Sequence, residues 1–140
     1  MREALTKMAQ HPWTKHDKVL ERGMTPSIDG DDVVAIYAAN GVTSTFYTVP
    51  ANKIFLLFDW VANLVNNSGV VINGYLLVYS GAAATKARLF NSNCLVNVSM
   101  IGSQSYFIPI PFIAGDYFRA NASAVNGVLH GQIHGILINA

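Results

Sequence analysis

Residues 54–79 constrain the fold most, because their apolar side chains alternate over two long runs. Every second residue of the first run is apolar, namely Ile54, Leu56, Phe58, Trp60, Ala62 and Leu64. An alternation of period two is typical of a half-buried strand. Residues 66–69, Asn-Asn-Ser-Gly, have the composition of a turn, and the alternation resumes from Val70. We therefore predict a β-hairpin that is so apolar that a second sheet must cover it.

Further strand patterns, separated by turn signals, fill the rest of the chain. They cover residues 33–38, 43–49, 86–90, 94–101, 106–113, 117–124 and 128–138. Pro109 and Pro111 are two residues apart, so their missing amide hydrogens lie on one side of their strand. This predicts a strand at a sheet edge, or one that bends from one sheet to the other. Many short strands with regular turns indicate a sandwich or barrel. We predict an all-β fold, an antiparallel, jelly-roll-like β-sandwich of eight or nine strands.

Charged side chains are concentrated at the start of the chain. Residues 1–32 hold eleven of the seventeen charged residues, and the other 108 residues hold six. In an average soluble domain about a quarter of the residues are charged. A body so poor in charge is expected to cover much of its surface with copies of itself or with other subunits. We therefore divide the chain into an N-terminal arm, residues 1–32, and a β-sandwich body, residues 33–140.

The arm contains the signals of one short helix. Thr14 and Asp17 resemble a capping box and Gly23 stands where a helix stop belongs, which predicts a helix over residues 15–22. A helix of this length is marginal in isolation and needs a surface to dock on. The expected docking residues are the large apolar side chains Trp13, Val19 and Leu20. The alternative for Trp13 is that its side chain packs against the body of its own chain.

No catalytic chemistry is predicted. No serine stands in a Gly-x-Ser-x-Gly elbow, and the single cysteine, Cys94, lies in an apolar alternating run as a core residue would. Asp59 and Asp116 could be proposed as a carboxylate pair, but nothing in the sequence places them side by side. We expect a protein that is not an enzyme and that uses no cofactor.

Two histidines share one face of the last predicted strand with Gln132. His130 and His134 are roughly 13 Å apart on a strand, too far to share one metal ion, so no metal site is predicted within one chain. A ring of histidines, one from each of three subunits, could hold an ion. The preferred interpretation is that His130, Gln132 and His134 form a hydrated subunit interface. Gly131 and Gly135 face the opposite way, where we expect a neighbouring backbone or large ring to pack closely.

Two segments carry a family resemblance. Residues 46–53 are Phe-Tyr-Thr-Val-Pro-Ala-Asn-Lys and lead into a long apolar strand, and residues 113–120 are Ile-Ala-Gly-Asp-Tyr-Phe-Arg-Ala. They resemble the Tyr-Thr-Val-Pro-Ala-Gly-Lys opening and the later Ala-Gly-Asp turn of β-sandwich virion proteins of tailed bacteriophages, with Asn52 where glycine is usual. The resemblance spans about residues 43–138. It implies a jelly-roll body, often trimeric, that serves in capsid decoration, in fibre attachment or in tail structure.

These observations together predict a viral structural protein located in the virion. We expect a phage capsid decoration or auxiliary protein that self-associates as a trimer and docks through its arm on the major capsid protein or another virion protein. A net charge of +1 argues against nucleic acid as a partner. Polar residues interrupt the most apolar stretch well before the roughly 18 residues that a membrane span needs. No apolar signal segment follows the N-terminus.

Six tyrosines leave a different function open. They are Tyr37, Tyr47, Tyr75, Tyr79, Tyr106 and Tyr117. With Asn- and Ser-rich loops they could form a sugar-binding surface, although aromatic residues of a sandwich more often belong to the core or to an interface. The alternative function is therefore a tail or fibre receptor-binding head that recognises a cell-surface glycan. A third interpretation, a bacterial C1q-like or lectin-like module, lacks the signal peptide that secretion normally requires.

Overall fold

The computed structural model describes residues 30–140, which form eight β-strands and no helix. The strands are β1 (Asp31–Asn40), β2 (Thr43–Thr48), β3 (Lys53–Asn66), β4 (Ile72–Tyr79), β5 (Thr85–Cys94), β6 (Ser99–Ile113), β7 (Tyr117–Ala122) and β8 (Gly127–Asn139). They form a front sheet of order β1-β8-β3-β6 and a back sheet of order β2-β7-β4-β5. Every strand pair is antiparallel, which confirms the predicted all-β antiparallel sandwich.

Six of the seven connections cross from one sheet to the other, as in an eight-stranded jelly roll. Within residues 30–140 only β4 and β5 form a hairpin inside one sheet. The predicted hairpin of residues 54–79 is therefore wrong, because β3 belongs to the front sheet and β4 to the back sheet. Gly74 of β4 lies directly over the Leu64 side chain of β3. Alternation shows that each strand has a buried face. It does not show whether the next strand is its neighbour in the same sheet or lies in the facing sheet.

The inward-facing side of β3 changes at a β-bulge. Phe55 and Leu57 are fully buried, and beyond the bulge the buried parity passes to Trp60, Ala62 and Leu64. The register with both neighbouring strands shifts between Leu57 and Asp59, so one extra residue is inserted there. The single apolar face predicted for this strand was wrong for its first half, because a bulge reverses the side that each later residue faces.

The boundary between β5 and β6 also differs from the predicted one. Cys94 ends β5 and is fully buried, which confirms it as a core residue, but the strand predicted for residues 94–101 is wrong. Residues 95–98 form the turn, with Asn97 in the left-handed region at φ 58°. The predicted strand end at Gly102 is wrong as well. A Cβ there would lie 2.6 Å from Phe90 Cδ2, so this glycine serves a close approach inside β6.

The proline prediction is confirmed, since β6 is an outer strand of the front sheet. The prediction for the two glycines of β8 is confirmed too. A Cβ at Gly131 would meet the carbonyl oxygen of Val61, and one at Gly135 would meet the carbonyl oxygen of Leu56 and the ring of Phe55. At both glycines β8 therefore lies very close to the backbone of β3, its neighbour in the front sheet, and the ring of Phe55 also packs on Gly135.

The core lies between the sheets and is centred on the fully buried Phe118. Its ring meets Phe55 at 5.6 Å and Phe112 at 5.1 Å, both edge-on, and Tyr47 lies 5.0 Å from Phe55. Edge-to-face aromatic pairs contribute about 0.5–1.5 kcal/mol beyond the area they bury. These contacts join the front sheet, through Phe55 and Phe112, to the back sheet, through Phe118 and Tyr47.

The predicted helix over residues 15–22 lies outside the described residues. So do the expected docking residues Trp13, Val19 and Leu20. The description of surfaces below concerns the body alone.

Candidate functional site

The residues predicted to form a subunit interface lie together on the outer face of the front sheet. Strand register places outward side chains in rows across a sheet. Each predicted residue of β8 therefore stands between a residue of β1 and a residue of β3. The rows are Ala38, His130 and Asn63; Ile36, Gln132 and Val61; Val34, His134 and Asp59. We call this surface, with Ile101 of β6 beside Asn63, the front face.

The ionisable groups of the front face are partnered within the chain. His134 Nδ1 lies 3.0 Å from Asp59 Oδ2, and its Nε2 lies 3.8 Å from Asp32 Oδ1. His130 Nε2 lies 3.2 Å from Asn63 Nδ2. Sequence reasoning left Asp59 without a neighbour, because the bulge in β3 is what aligns it with His134. The histidines and carboxylates of this polar stripe are thus paired, so a partner could cover them without stranding a charge, whereas Asn63 Oδ1 has no hydrogen-bond partner among residues 30–140.

The rest of the front face is apolar and open. Its exposed large side chains are Val34, Ile36, Val61 and Ile101. Ile36 is 77% exposed and Ile101 is 72% exposed. Single exposed apolar residues are ordinary on a protein surface, but a group of them around closed polar pairs is typical of an interaction surface.

A second apolar surface lies at one end of the sandwich, where four loops meet. These are the β1–β2, β3–β4, β5–β6 and β7–β8 loops. Their exposed apolar residues are Val42, Val70, Val71, Leu95, Val96, Val98 and Val125, and we call this surface the apolar end. None of the loop residues between these strands carries a charge. The apolar end is therefore a surface that water solvates poorly.

Hydrogen bonds join the four loops into one unit. The buried Asn66 donates from Nδ2 to the carbonyls of Val70, Cys94 and Leu95, at 2.8, 2.9 and 3.1 Å. Its Oδ1 accepts from the backbone and the hydroxyl of Ser68. Backbone bonds complete the set, from Asn67 N to Asn126 O, from Asn66 N to Val98 O and from Gly41 N to Gly127 O. These hydrogen bonds fix the four loops relative to one another, and the loops carry the exposed apolar side chains of the apolar end.

Sequence reasoning missed the apolar end. It assigned Val70 and Val71 to one strand and residues 95–98 to another, so it did not consider their side chains as part of a loop surface. The signal that could have revealed the surface is the presence of valines at positions where turn residues are expected, Val42 and Val125 included.

The opposite end of the sandwich carries an ion pair. Lys86 Nζ contacts Asp116 Oδ2 at 2.6 Å, and the same oxygen accepts the backbone amide of Ile113 at 2.9 Å. Asp116 is almost fully buried, so its role is to close the turn before β7. The two carboxylates considered as a pair are not brought together, because Asp59 is on the front face.

The six tyrosines divide into two groups. Tyr79 and Tyr117 stack at 5.4 Å on the outer side of the back sheet, with the Arg119 guanidinium 5.3 and 5.1 Å from the two rings. Tyr75 stands next to Asn121 on the same side. The others serve the interior, where burial raises the pKa of the Tyr37 and Tyr47 hydroxyls above the ordinary value.

The remaining chemistry of the described part of the chain is sparse. Among residues 30–140, no three His, Cys, Asp or Glu side chains come together in a way that could hold a metal ion. No helix in this range is long and apolar enough to span a membrane. Cys94 is buried and unbridged.

Comparison with known proteins yields distant structural likenesses only. No protein-family model and no curated protein matches the chain. Among solved structures, it is similar to a chain of Bacillus endospore appendages, which form disulfide-linked pili, at 14% identity and a TM-score of 0.34 over 77% of this chain and 87% of that one. It is also similar to a chain of the infectious bursal disease virus particle, at 7% identity and a TM-score of 0.38 over 81% of this chain and 33% of that one.

A second infectious bursal disease virus structure, from the Gt strain, aligns at 12% identity and a TM-score of 0.19 over 79% of this chain and 33% of that chain. The chain therefore spans about a third of the length of the viral proteins it matches. Likeness at this level assigns neither a family nor a function, and the resemblance to tailed-phage virion proteins stays a prediction.

Proposed function

We propose that this chain is a non-enzymatic structural subunit of a virion, a capsid decoration or auxiliary protein of the tailed-phage kind. The observation that carries the proposal is that one small body exposes two apolar surfaces, the front face and the apolar end. A solitary protein gains nothing from such surfaces, whereas a subunit with neighbours buries them. The phage resemblance of residues 46–53 and 113–120 supports the virion as the location.

In this proposal the subunits form a trimer through the front face. His130, Gln132 and His134 lie in the contact, flanked by the apolar residues of β1 and β3. Because the histidines already have partners inside the chain, covering them leaves few polar groups unpaired. Burial of the apolar side chains around them provides the favourable term.

The arm makes the second attachment. The part of the arm that precedes β1 docks the trimer on the major capsid protein or another virion protein, with Trp13, Val19 and Leu20 as the anchoring side chains. Nucleic acid and membranes are not partners in this scheme, in line with the net charge of +1. No cofactor takes part.

Light scattering after size exclusion tests the self-association. We expect a trimer for the full chain and for a chain that begins at Asp31. The substitution Val61→Lys places a charge in the middle of the front face and is expected to give monomers. The matched control is Thr48→Lys, at an exposed position of β2, which should remain a trimer. A wild-type chain that is monomeric at every concentration, or a trimeric V61K variant, contradicts the proposal.

A second function is favoured by one observation, the stacked Tyr79–Tyr117 pair with Arg119 over it. Flat aromatic faces beside amide side chains suit the recognition of a sugar ring by a receptor-binding head. Titration calorimetry with a panel of cell-surface glycans separates the two functions. Binding that is lost in Tyr79→Ala and kept in Val61→Lys supports the receptor-binding head, and no binding to any glycan removes it.

A further inference from the structure

Four strands form the edges of the two sheets, and two of these edges are interrupted. β6 carries Pro109 and Pro111, and its residues 106–109 have no paired positions in β3. β2 is only six residues long, and its register with β7 shifts between Thr45 and Tyr47. Prolines, bulges and short length are features that prevent an edge from pairing with another chain.

The third edge is protected in the same way, and the fourth is not. β5 has two register shifts against β4 and carries Lys86 and Arg88. β1 pairs with β8 in an unbroken register from Asp31 to Asn40, and it contains no proline, lysine or arginine. Its outward side chains include the 77% exposed Ile36. Asp31 and Asp32 place charge only at the start of β1, and the rest of this edge, from Val33 to Ala39, is regular and apolar. Such an edge offers a row of free backbone donors and acceptors to a further strand.

We propose that β1 pairs antiparallel with β1 of a second copy of this chain across a twofold axis, so that two front sheets become one continuous eight-stranded sheet. The pairing rests on the proposed self-association, and it is a contact separate from the trimer. In a shell it joins one trimer to the next.

The sequence of β1 is self-complementary in this arrangement. With Ile36 opposite its own copy, Val34 faces Ala38 of the second copy and Asp32 faces Asn40, so that residues 32–40 are all paired. No two like charges face each other, which matters because directly opposed like charges destabilise a strand pair. The most exposed apolar residue of the edge becomes the centre of the contact.

The composition of the chain favours a second β1 over the arm as the occupant. Residues 1–29 include nine charged residues together with Pro12 and Pro26, a composition poor in strand formers. The centre of β1, Val-Val-Ala-Ile-Tyr-Ala-Ala, is rich in β-branched and apolar residues. Backbone pairing along this edge therefore has its best match in another copy of the same strand.

Disulfide trapping in the full chain tests both the contact and its register. Directly opposed residues in an antiparallel pair have Cβ atoms close enough for a disulfide to form. Ile36→Cys is expected to give a covalent dimer under mild oxidation, at least about tenfold faster than the control, because pairing raises the effective thiol concentration. The matched control is Ile108→Cys, which is 79% exposed on the proline-containing edge of the same sheet. Val34→Cys and Ala38→Cys should link when mixed and should stay unlinked when each is alone.

The outcomes separate this contact from the proposed trimer. A trimer by light scattering with I36C no faster than I108C overturns the β1 pairing and leaves the trimer standing. Fast linkage of I36C without linkage in the V34C and A38C mixture overturns the register, and with it the proposal. A disulfide-linked I36C pair in a V61K background that has lost the trimer supports the pairing and shows that it does not depend on the front-face trimer.

Discussion

Lys86 Nζ lies 2.6 Å from Asp116 Oδ2 and joins β5 to the turn before β7. Asp116 is 1% exposed, and its Oδ2 also accepts the amide hydrogen of Ile113. The carboxylate therefore satisfies a backbone donor and a cation at once in a place that water hardly reaches. Loss of the carboxylate leaves both of these groups without their partner.

Asp116→Ala is expected to lower the free energy of unfolding by about 3 kcal/mol. It removes the buried carboxylate that accepts hydrogen bonds from both Lys86 and the Ile113 amide. Lys86→Ala should cost less, since the lysine is about one-third exposed and the Ile113 amide still holds the turn. Urea denaturation measures both. Lys53→Ala is the control, because its bond to Asn139 is exposed, and it should change stability by less than about 0.5 kcal/mol.

Two tyrosine-to-phenylalanine substitutions are expected to affect stability differently, one lowering it and the other leaving it unchanged or raising it. The Tyr37 hydroxyl donates to the carbonyl oxygen of Val61 at 2.9 Å, so Tyr37→Phe should cost about 1 kcal/mol. The Tyr47 hydroxyl is buried and has no hydrogen-bond partner among residues 30–140, so Tyr47→Phe should be neutral or stabilise by up to about 1 kcal/mol. Chemical denaturation at pH 7 compares them. A destabilised Y47F variant would show that its hydroxyl does find a partner.

The protein should lose stability at alkaline pH because of Tyr37. Burial raises the pKa of this hydroxyl, so the unfolded chain releases the proton near pH 10 while the folded chain still holds it. Above that pH the folded state binds more protons than the unfolded state, and stability falls as pH rises. Unfolding curves between pH 9 and 11 should show a shallower decline for Tyr37→Phe than for wild type. Equal slopes would contradict this assignment.

Glycines of the front sheet should differ in how they tolerate alanine. Gly131→Ala sets a methyl group against the carbonyl oxygen of Val61, a backbone atom that cannot move aside, and should cost at least about 2 kcal/mol. Gly69→Ala is the control, since no atom lies within 4 Å of its added Cβ. Thermal unfolding of the two variants is the measurement, and similar melting temperatures would refute the close approach.

Asn66→Ala should loosen the apolar end. The substitution removes the amide that binds the carbonyls of Val70, Cys94 and Leu95, and the cost is expected to be about 2–3 kcal/mol. Hydrogen exchange should accelerate most at the amides of Ser68 and Val98. If exchange rises evenly over the whole body instead, the residue supports the fold in general and not this surface.

The sequence predicted what depends on local chemistry. Two prolines exclude an interior strand wherever the chain runs, and β6 is indeed an edge. Gly131 and Gly135 share the inward-facing side of β8 with the large residues Leu129, Ile133 and Leu137. A glycine among such residues indicates that a neighbouring group lies too close for a side chain, and this prediction needs no knowledge of the strand order. Cys94 is buried as predicted, although the alternating run after it, from which its burial was inferred, is an exposed turn.

What the sequence did not predict depends on three-dimensional pairing. The run before Asn66 and the run after it look the same whether they lie side by side or face to face, so the hairpin was assigned to the wrong geometry. The bulge at Asp59 has no distinct residue pattern, and it alone aligns that carboxylate with His134. The apolar end was not predicted for a related reason. Its loop valines continue the apolar pattern of the neighbouring strands, so the sequence does not show where each strand ends.

The strand order also determines when during synthesis the front sheet can form. β8 lies between β1 and β3 and pairs Leu137 with Asp31, so the first and last strands of the described chain are neighbours. Until the ribosome has released β8, the front sheet has a gap at its second position and β1 has no strand in that sheet to pair with. Until β8 emerges, a nascent chain therefore leaves β1, and the edge of β3 that pairs with β8, without a partner, and this is the period in which chaperones would be needed most.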